Sequence, residues 1–192
     1  MSKTSKSGKV IVIVAPSGAG KTTLAKRLLE EYPSIRFSIS ATTRPPRKDE
    51  VDGEDYYFLT DQEFDRKIEN HDFLEWERYS SYRYGTLRSE VDKLVESGYF
   101  PLLDIEVNGA LNVQKIYGSA AVSIFIEPPS MEVLQERLQK RGSETTDSVE
   151  KRMERAEMEM QYAHHFDHTV VNDDLDTAYV QIQAIVEPFI NK

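Results

Sequence analysis

No cysteine occurs among the 192 residues. That excludes disulfides and thiolate metal sites, and it makes the cytoplasm the expected compartment. Long apolar runs are missing as well. The longest, Val10-Ile-Val-Ile-Val-Ala15, falls far short of the ~18 residues of a membrane span, so no membrane partner is expected. The basic start, Met1 to Lys9, has the charges of a signal n-region. Only six apolar residues follow it before Pro16-Ser17-Gly18, with no cleavage-like site, so residues 1–8 read as a frayed tail. Positive charge is in deficit: 24 Lys and Arg stand against 33 Asp and Glu, a net charge of −9. Nucleic-acid binders usually carry a basic field, so no nucleic-acid partner is expected, and any bound phosphate must be held locally by a few placed cations. Internal repeats and low-complexity segments are also absent.

What remains is a chain 39% hydrophobic and 30% charged, the composition of a soluble globular protein long enough for one core. Strand-length apolar runs at Val10–Val14, Phe100–Ile105 and Val122–Ile126 alternate with segments of helical period. These are Lys21–Tyr32, Gln62–Asn70, Leu87–Ser97, Gly109–Ile116, Met131–Lys140, Ser148–Ala163 and Leu175–Ile190. Such alternation predicts an α/β fold with a doubly wound parallel sheet. The rhythm breaks over residues 38–84, where short alternating segments predict an insert with its own small, antiparallel sheet. A second irregular stretch, 141–147, has the composition of a mobile polar loop. His164, His165 and His168 run off a helix end into a strand and do not suggest a metal site, and His71 reads as a turn residue.

Residues 10–29, VIVIVAPSGAGKTTLAKRLL, put a strand, a turn with Gly18 and Gly20, and a helix opening at Lys21-Thr22-Thr23 in direct succession. Glycines let consecutive N–H groups converge on phosphate oxygens and the helix N-terminus adds its positive end. Lys21, expected to face solvent, can reach the β- and γ-phosphates, and Thr22 can offer its hydroxyl to Mg²⁺. Ala15 stands where the first glycine of this pattern is usual, which an extended strand end tolerates.

Downstream, Thr42-Thr43-Arg44-Pro45-Pro46-Arg47 sets two arginines three apart. Polyproline II has ~3 residues per turn, so both guanidinium forks would point the same way and suit a phosphate monoester. Ion pairs with Asp49, Glu50, Asp52 or Glu54 would serve the turn as well. Tyr56 and Tyr84 are candidate phenolic partners for that phosphate. In Phe73-Leu-Glu75-Trp-Glu77 the period of two puts both glutamates on one face. A carboxylate with a nearby hydroxyl, from Ser40 or Thr86, complements the N1–H and N2–H donors and the O6 acceptor of guanine.

Together these motifs resemble the guanylate kinase family, from Ala15-Pro-Ser-Gly-Ala-Gly-Lys-Thr22 through Ser38-Ile-Ser-Ala-Thr-Thr-Arg-Pro-Pro-Arg47, Gly53-Glu-Asp-Tyr-Tyr-Phe58, Tyr84-Gly-Thr86 and Leu103-Asp-Ile-Glu106 to Val171-Asn-Asp-Asp174. The resemblance implies one domain over residues 1–192. Within it would lie a P-loop core (9–37, 99–129, 161–192), a small mixed-β GMP-binding insert (38–98) and a helical lid (130–160). It implies transfer of the γ-phosphoryl group of ATP to GMP, and to dGMP, in purine nucleotide metabolism. Ala15, Pro16, Ser17, Gly18, Ala19, Gly20, Lys21, Thr22, Thr23 and Asn172 would hold ATP, with Asn172 beside the adenine. Ser40, Glu75 and Thr86 would hold guanine, with Glu106 nearby in place of the usual aspartate, and Thr86 stands where serine is frequent. Arg44, Arg47, Tyr56 and Tyr84 would hold the GMP phosphate. Asp104 would sit beside the GMP site and, with Thr22, near Mg²⁺, in part through water. Lys21, Arg137, Arg141 and Arg152 would be catalytic, neutralising the transferring phosphoryl group. The alternative is a non-catalytic guanylate kinase-like protein-interaction module. Such modules commonly lose the phosphate loop, whereas Gly18, Gly20, Lys21 and Thr22 are all here. Monomer and homo-oligomer both remain open.

Overall fold

A computed structural model describes residues 8–140 and 146–191. In chain order the elements are β1 (Val10–Val14), α1 (Lys21–Glu31), β2 (Ile35–Phe37), β3 (Ser40–Thr42), β4 (Tyr57–Phe58), α2 (Asp61–Glu69), β5 (Phe73–Tyr79) and β6 (Tyr82–Leu87). There follow α3 (Arg88–Glu96), β7 (Phe100–Asp104), α4 (Val107–Tyr117), β8 (Ala121–Glu127), α5 (Met131–Lys140), α6 (Thr146–Met160), β9 (His168–Val171) and α7 (Leu175–Ile190). Arg141 lies outside the described residues, as do the first five residues of the expected polar loop, whose last two open α6.

The larger sheet is wholly parallel, in the order β2-β7-β1-β8-β9. Every residue of β1 is buried, as an unbroken Val/Ile run requires of a central strand. Its side chains alternate between two cores: Ile11 and Ile13 pack with Leu24, Leu28, Ile182 and Val186 of α1 and α7. Val10, Val12 and Val14 pack on the other face with Val91, Ala110 and Val113 of α3 and α4. The expected doubly wound α/β architecture is therefore the one observed. Among the described residues no helix is long and apolar enough to cross a membrane.

The second sheet, β4-β3-β6-β5, is mixed. Its β3–β6 and β5–β6 pairs are antiparallel as expected, but β3 and β4 run parallel, because the arginine-proline stretch carries the chain back across the sheet before β4 begins. Helix α2 covers one face through Phe64, whose ring stacks on Phe73 at 4.5 Å between centroids. Thr60 and Glu63 form a capping box at its start, and beyond its end His71 takes the turn with φ of 57°. Arg83 of β6 forks onto Asp61 and Asp65, tying the sheet to α2. Helices α5 and α6 form a separate small cluster of Leu134, Leu138, Val149 and Ala156.

Candidate active site

The phosphate loop joins β1 to α1 at the C-terminal edge of the parallel sheet, where open α/β sheets bind ligands. Gly18 and Gly20 have φ of 95° and 96°, values that side chains other than glycine strain to adopt. The loop is braced from two sides. Asn172, buried at the end of β9, donates from Nδ2 to the Ala19 carbonyl at 2.7 Å, and a Cβ on Gly20 would meet that same nitrogen at 2.2 Å. From α5, Leu138 and Leu134 come within 3.0 and 3.1 Å of where a Gly18 Cβ would stand. Ala15 is buried at the strand end, where it packs with the α1 core.

Lys21 does not face solvent as expected. Its side chain is 16% exposed and its Nζ lies 2.6 Å from Oδ1 of Asp104 at the end of the neighbouring strand β7. Burial pulls the ammonium pKa down, but Asp104 and Glu106 outweigh it and hold the group above its ordinary value. Residues Ala15 to Gly18 and Gly20 to Thr23 wall a cavity completed by Tyr79, Glu106, Arg152, Arg155 and Glu159. Ala19 itself is fully buried behind it.

A second cavity adjoins the first. Phe37, Ser40, Tyr56, Glu75, Glu77, Tyr79, Tyr84, Gly85, Asp104, Ile105 and Glu106 line it, so Tyr79 and Glu106 border both cavities. The hydroxyl of Thr86 donates to Oε1 of Glu75 at 2.6 Å, and β3 sets Ser40 directly opposite Thr86. A register shift between Phe73 and Glu75 breaks the simple alternation of β5, so that Phe73, Leu74 and Glu75 are all buried while Trp76 is exposed. Glu75 thereby presses against α4, where a Cβ on Gly109 would meet its Oε2 at 2.7 Å. Burial raises the Glu75 carboxyl to about 7, against the pull of its bonds from Thr86 and with help from Glu77 and Glu106.

The two arginines of the proline turn part company. Arg44, 9% exposed, forks onto both oxygens of Glu50 at 2.8 and 2.9 Å, under the ring of Tyr56 at 5.3 Å. Arg47 is exposed, and its backbone N–H donates to the same Glu50 carboxylate at 2.7 Å. The two side chains thus differ in environment, and the ion pair with Glu50 that the sequence left open is formed. Neither lines the two cavities, although Tyr56 and Tyr84 beside Arg44 do. Of the other expected residues, Arg152 reaches Ser17 Oγ at 3.4 Å. Arg137 donates to the carbonyls of Asn172 and Asp173 at 3.0 and 3.4 Å. Asn172, expected beside a base, borders neither cavity and is committed to the loop.

Sequence reasoning missed three residues. Gly109 is silent because its contact with Glu75 joins α4 to β5. Arg155 and Glu159 read individually as ordinary surface charges, yet with Glu77, which the strand period set on the Glu75 face without giving it a role, they meet beside Glu106.

A parallel α/β sheet whose central strand runs into a glycine loop and helix, with a mixed-sheet insert walling an adjoining cavity, defines the class of P-loop nucleotide kinases. The comparisons narrow this. The guanylate kinase family model matches residues 7–188, and the chain belongs to the guanylate kinase family. It is 49% identical over 183 residues to the guanylate kinase of Salinibacter ruber, covering 95% of this chain and 97% of that protein. With the guanylate kinase of Chlorobium chlorochromatii it shares 48% over 184 residues, covering 96% and 97% respectively. The crystal structure of guanylate kinase from Anaplasma phagocytophilum matches with a TM-score of 0.76 at 32% identity, over 96% of this chain and 87% of that one. The SH3-kinase fragment of tight junction protein 3, at 15% identity and a TM-score of 0.52, covers 95% of this chain and 57% of that fragment, and shares the fold alone.

The Glu75 carboxyl titrates near 7 when folded and near its ordinary 4.5 when not, so folding takes up a proton between those values. Stability is then lost as pH rises from about 4.5 to about 7, and the buried charge costs about 3 kcal/mol above that window. Glu75→Gln, which keeps the acceptor for Thr86, should therefore raise the ligand-free Tm by about 6–12 °C at pH 8 and change it little near pH 4.5. Thermal scans at both pH values check this; equal shifts would refute it.

Proposed function

We propose that this chain transfers the γ-phosphoryl group of ATP to GMP, giving ADP and GDP, and accepts dGMP because its base and phosphate contacts do not need the 2′-hydroxyl. The observation that carries the reading is a pair of adjoining cavities, one walled by a phosphate loop and the other by Ser40, Tyr56, Glu75 and Tyr84, in a member of the guanylate kinase family. Phosphoryl transfer needs positioning and neutralised charge more than covalent help from the protein. The loop amides and Lys21 hold the β- and γ-phosphates of ATP, and Asn172 acts on ATP through the loop it braces. Arg137, Arg141 and Arg152 neutralise the group in transit, and the α5–α6 pair, as a lid, excludes water. On the acceptor side, Arg44 and Arg47 with Tyr56 and Tyr84 take the GMP phosphate, which replaces the Glu50 carboxylate now paired with the Arg44 guanidinium. Glu75, with Ser40 and Thr86, reads the base and Glu106 borders it.

Thr22 and Asp104 are hard oxygen donors next to Lys21, a set that fits Mg²⁺, which keeps several waters and shares its remaining ligands with phosphates. Bound with ATP, Mg²⁺ would neutralise charge on the bridging phosphate oxygens. Lack of cysteine suits a reducing, cytoplasmic compartment, and conversion of GMP to GDP belongs to purine nucleotide metabolism. The fold alone would suit a protein-interaction module equally; the intact Gly18, Gly20, Lys21 and Thr22 favour catalysis.

A coupled assay with GMP, AMP, dTMP and UMP tests the reading, and GMP turnover no better than the other three would overturn it. In the same assay Lys21→Ala should stay folded, by its melting curve, and lose about 10²-fold or more in kcat. Base and phosphate recognition separate in a second comparison. Arg44→Ala should weaken every monophosphate alike, whereas Glu75→Gln, with an NH₂ opposing guanine's donors, should collapse the preference for GMP over AMP by about 10-fold or more. Equal loss of preference in both variants would defeat that division of labour. Gly109→Ala adds a third case. Alanine favours a helix by ~1 kcal/mol, yet its Cβ would displace the Glu75 carboxylate. The variant should match or exceed the wild-type Tm while its KM for GMP rises about tenfold and its KM for ATP stays within about twofold.

A further inference from the structure

Arg155 of α6 is a guanidinium shared by three parts of the fold. Its Nε donates to Glu159 Oε1 at 2.7 Å within α6. Its Nη2 lies 3.1 Å from Glu106 Oε2, at the cap of α4, and 3.5 Å from Glu77 Oε1 on β5. The guanidinium also stands over the ring of Tyr79, 5.0 Å from its centroid. Glu77, Tyr79 and Glu106 line the Glu75 cavity, and Tyr79 and Glu106, with Arg155 and Glu159, line the phosphate-loop cavity. Arg155 thus lines one cavity and pairs with carboxylates, Glu77 and Glu106, that line the other. One turn earlier on the same helix, Arg152 touches Ser17 of the phosphate loop, so whatever fixes Arg155 also fixes how α6 meets that loop.

Two features make this contact responsive to a ligand. Glu77 Oε2 is buried without a hydrogen-bond partner, an acceptor left over beside the base-side cavity. Without Arg155, the carboxylates of Glu77, Glu106 and Glu159 would lose the cation that pairs with all three, where two anionic nucleotides must enter. A ligand that draws on Glu77 or Glu106 changes what Arg155 is bound to, and hence where α6 rests on the loop.

We propose that Arg155 is a positioning residue that couples the two nucleotide sites, its shared bonds to Glu77 and Glu106 transmitting occupation of the GMP site to the lid helix over ATP. The inference rests on the assignment of the two cavities to ATP and GMP. Coupling of this kind is reciprocal and typically ~5-fold or more in affinity.

Titration calorimetry with a non-hydrolysable ATP analogue and Mg²⁺, with and without saturating GMP, reads the coupling factor directly. In the wild type GMP should change the analogue's Kd by about fivefold or more. Arg155→Gln and Glu77→Gln should each bring that factor to within about twofold of unity, and the double variant should go no further than either single one, because both remove the same contact. Arg155→Lys, which keeps the charge but not the fork, should fall between. Melting curves separate misfolding from loss of coupling, and Glu77→Gln carries the test if Arg155→Gln does not fold. An unchanged factor in folded Arg155→Gln or Glu77→Gln, or two losses that multiply independently, overturns the proposal while GMP turnover and binding of both nucleotides leave the functional reading intact. Failure of the wild type to bind GMP or to phosphorylate it sinks both.

Discussion

Two polyanions have to meet on a protein that itself carries a net charge of −9, and this constraint organises the site. Three cations of the site are held beforehand by carboxylates of the chain: Lys21 by Asp104, Arg44 by Glu50, and Arg155 by Glu77, Glu106 and Glu159. The carboxylates orient the cations and offset the cost of placing them in partly buried positions. They also keep the surrounding field acidic, so affinity for phosphate is confined to a few points. Glu75 differs: it is a buried carboxyl paired with no cation among the described residues, and its raised pKa records the cost of that burial.

Holding those points in place is the task of the packing beneath them. The phosphate loop has little apolar surface of its own and takes its shape from neighbours: the Asn172 amide on the Ala19 carbonyl, and Leu134 and Leu138 against Gly18. Through those leucines the α5–α6 cluster is continuous with the loop, so this helical pair is anchored at the phosphate loop itself. On the other side, the mixed sheet owes its rigidity to Phe64 stacked on Phe73 and to the Arg83 fork on α2, which leave β5 and β6 free to present Glu75 and Tyr84 to the cavity.

Features that are local in the chain were legible from it. The Val/Ile run of β1, the glycine loop and the helical periods each depend on neighbours a few residues away, and all formed. Three-residue β2, with only Ile35 buried, carries too little pattern to announce a strand, and the parallel pairing of β3 with β4 is decided by the path of the intervening loop. Within the site, residue types suggested Glu75, Thr86 and Ser40 as neighbours, and strand register brings them together. What could not be read was tertiary coincidence: Gly109 under Glu75, Asn172 under the loop, and Arg155 among carboxylates from positions 77, 106 and 159. A charged residue on an amphipathic helix looks the same whether its partner is water or another element.

The order of the parallel sheet bears on how the protein is made. Central strand β1 comes first off the ribosome, but its partners β7 and β8 follow about 90 and about 110 residues later. At ordinary rates of synthesis that is a wait on the order of ten seconds. Until then an apolar pentapeptide of Val and Ile, high in β-propensity and without charge, has no sheet to join, which is the composition that templates intermolecular strands. Flanking residues Lys9 and Pro16 stand as a charge and a strand breaker on either side of it. The topology that puts the phosphate loop at the middle of the molecule thus makes the nascent chain dependent, for a time, on those two gatekeepers.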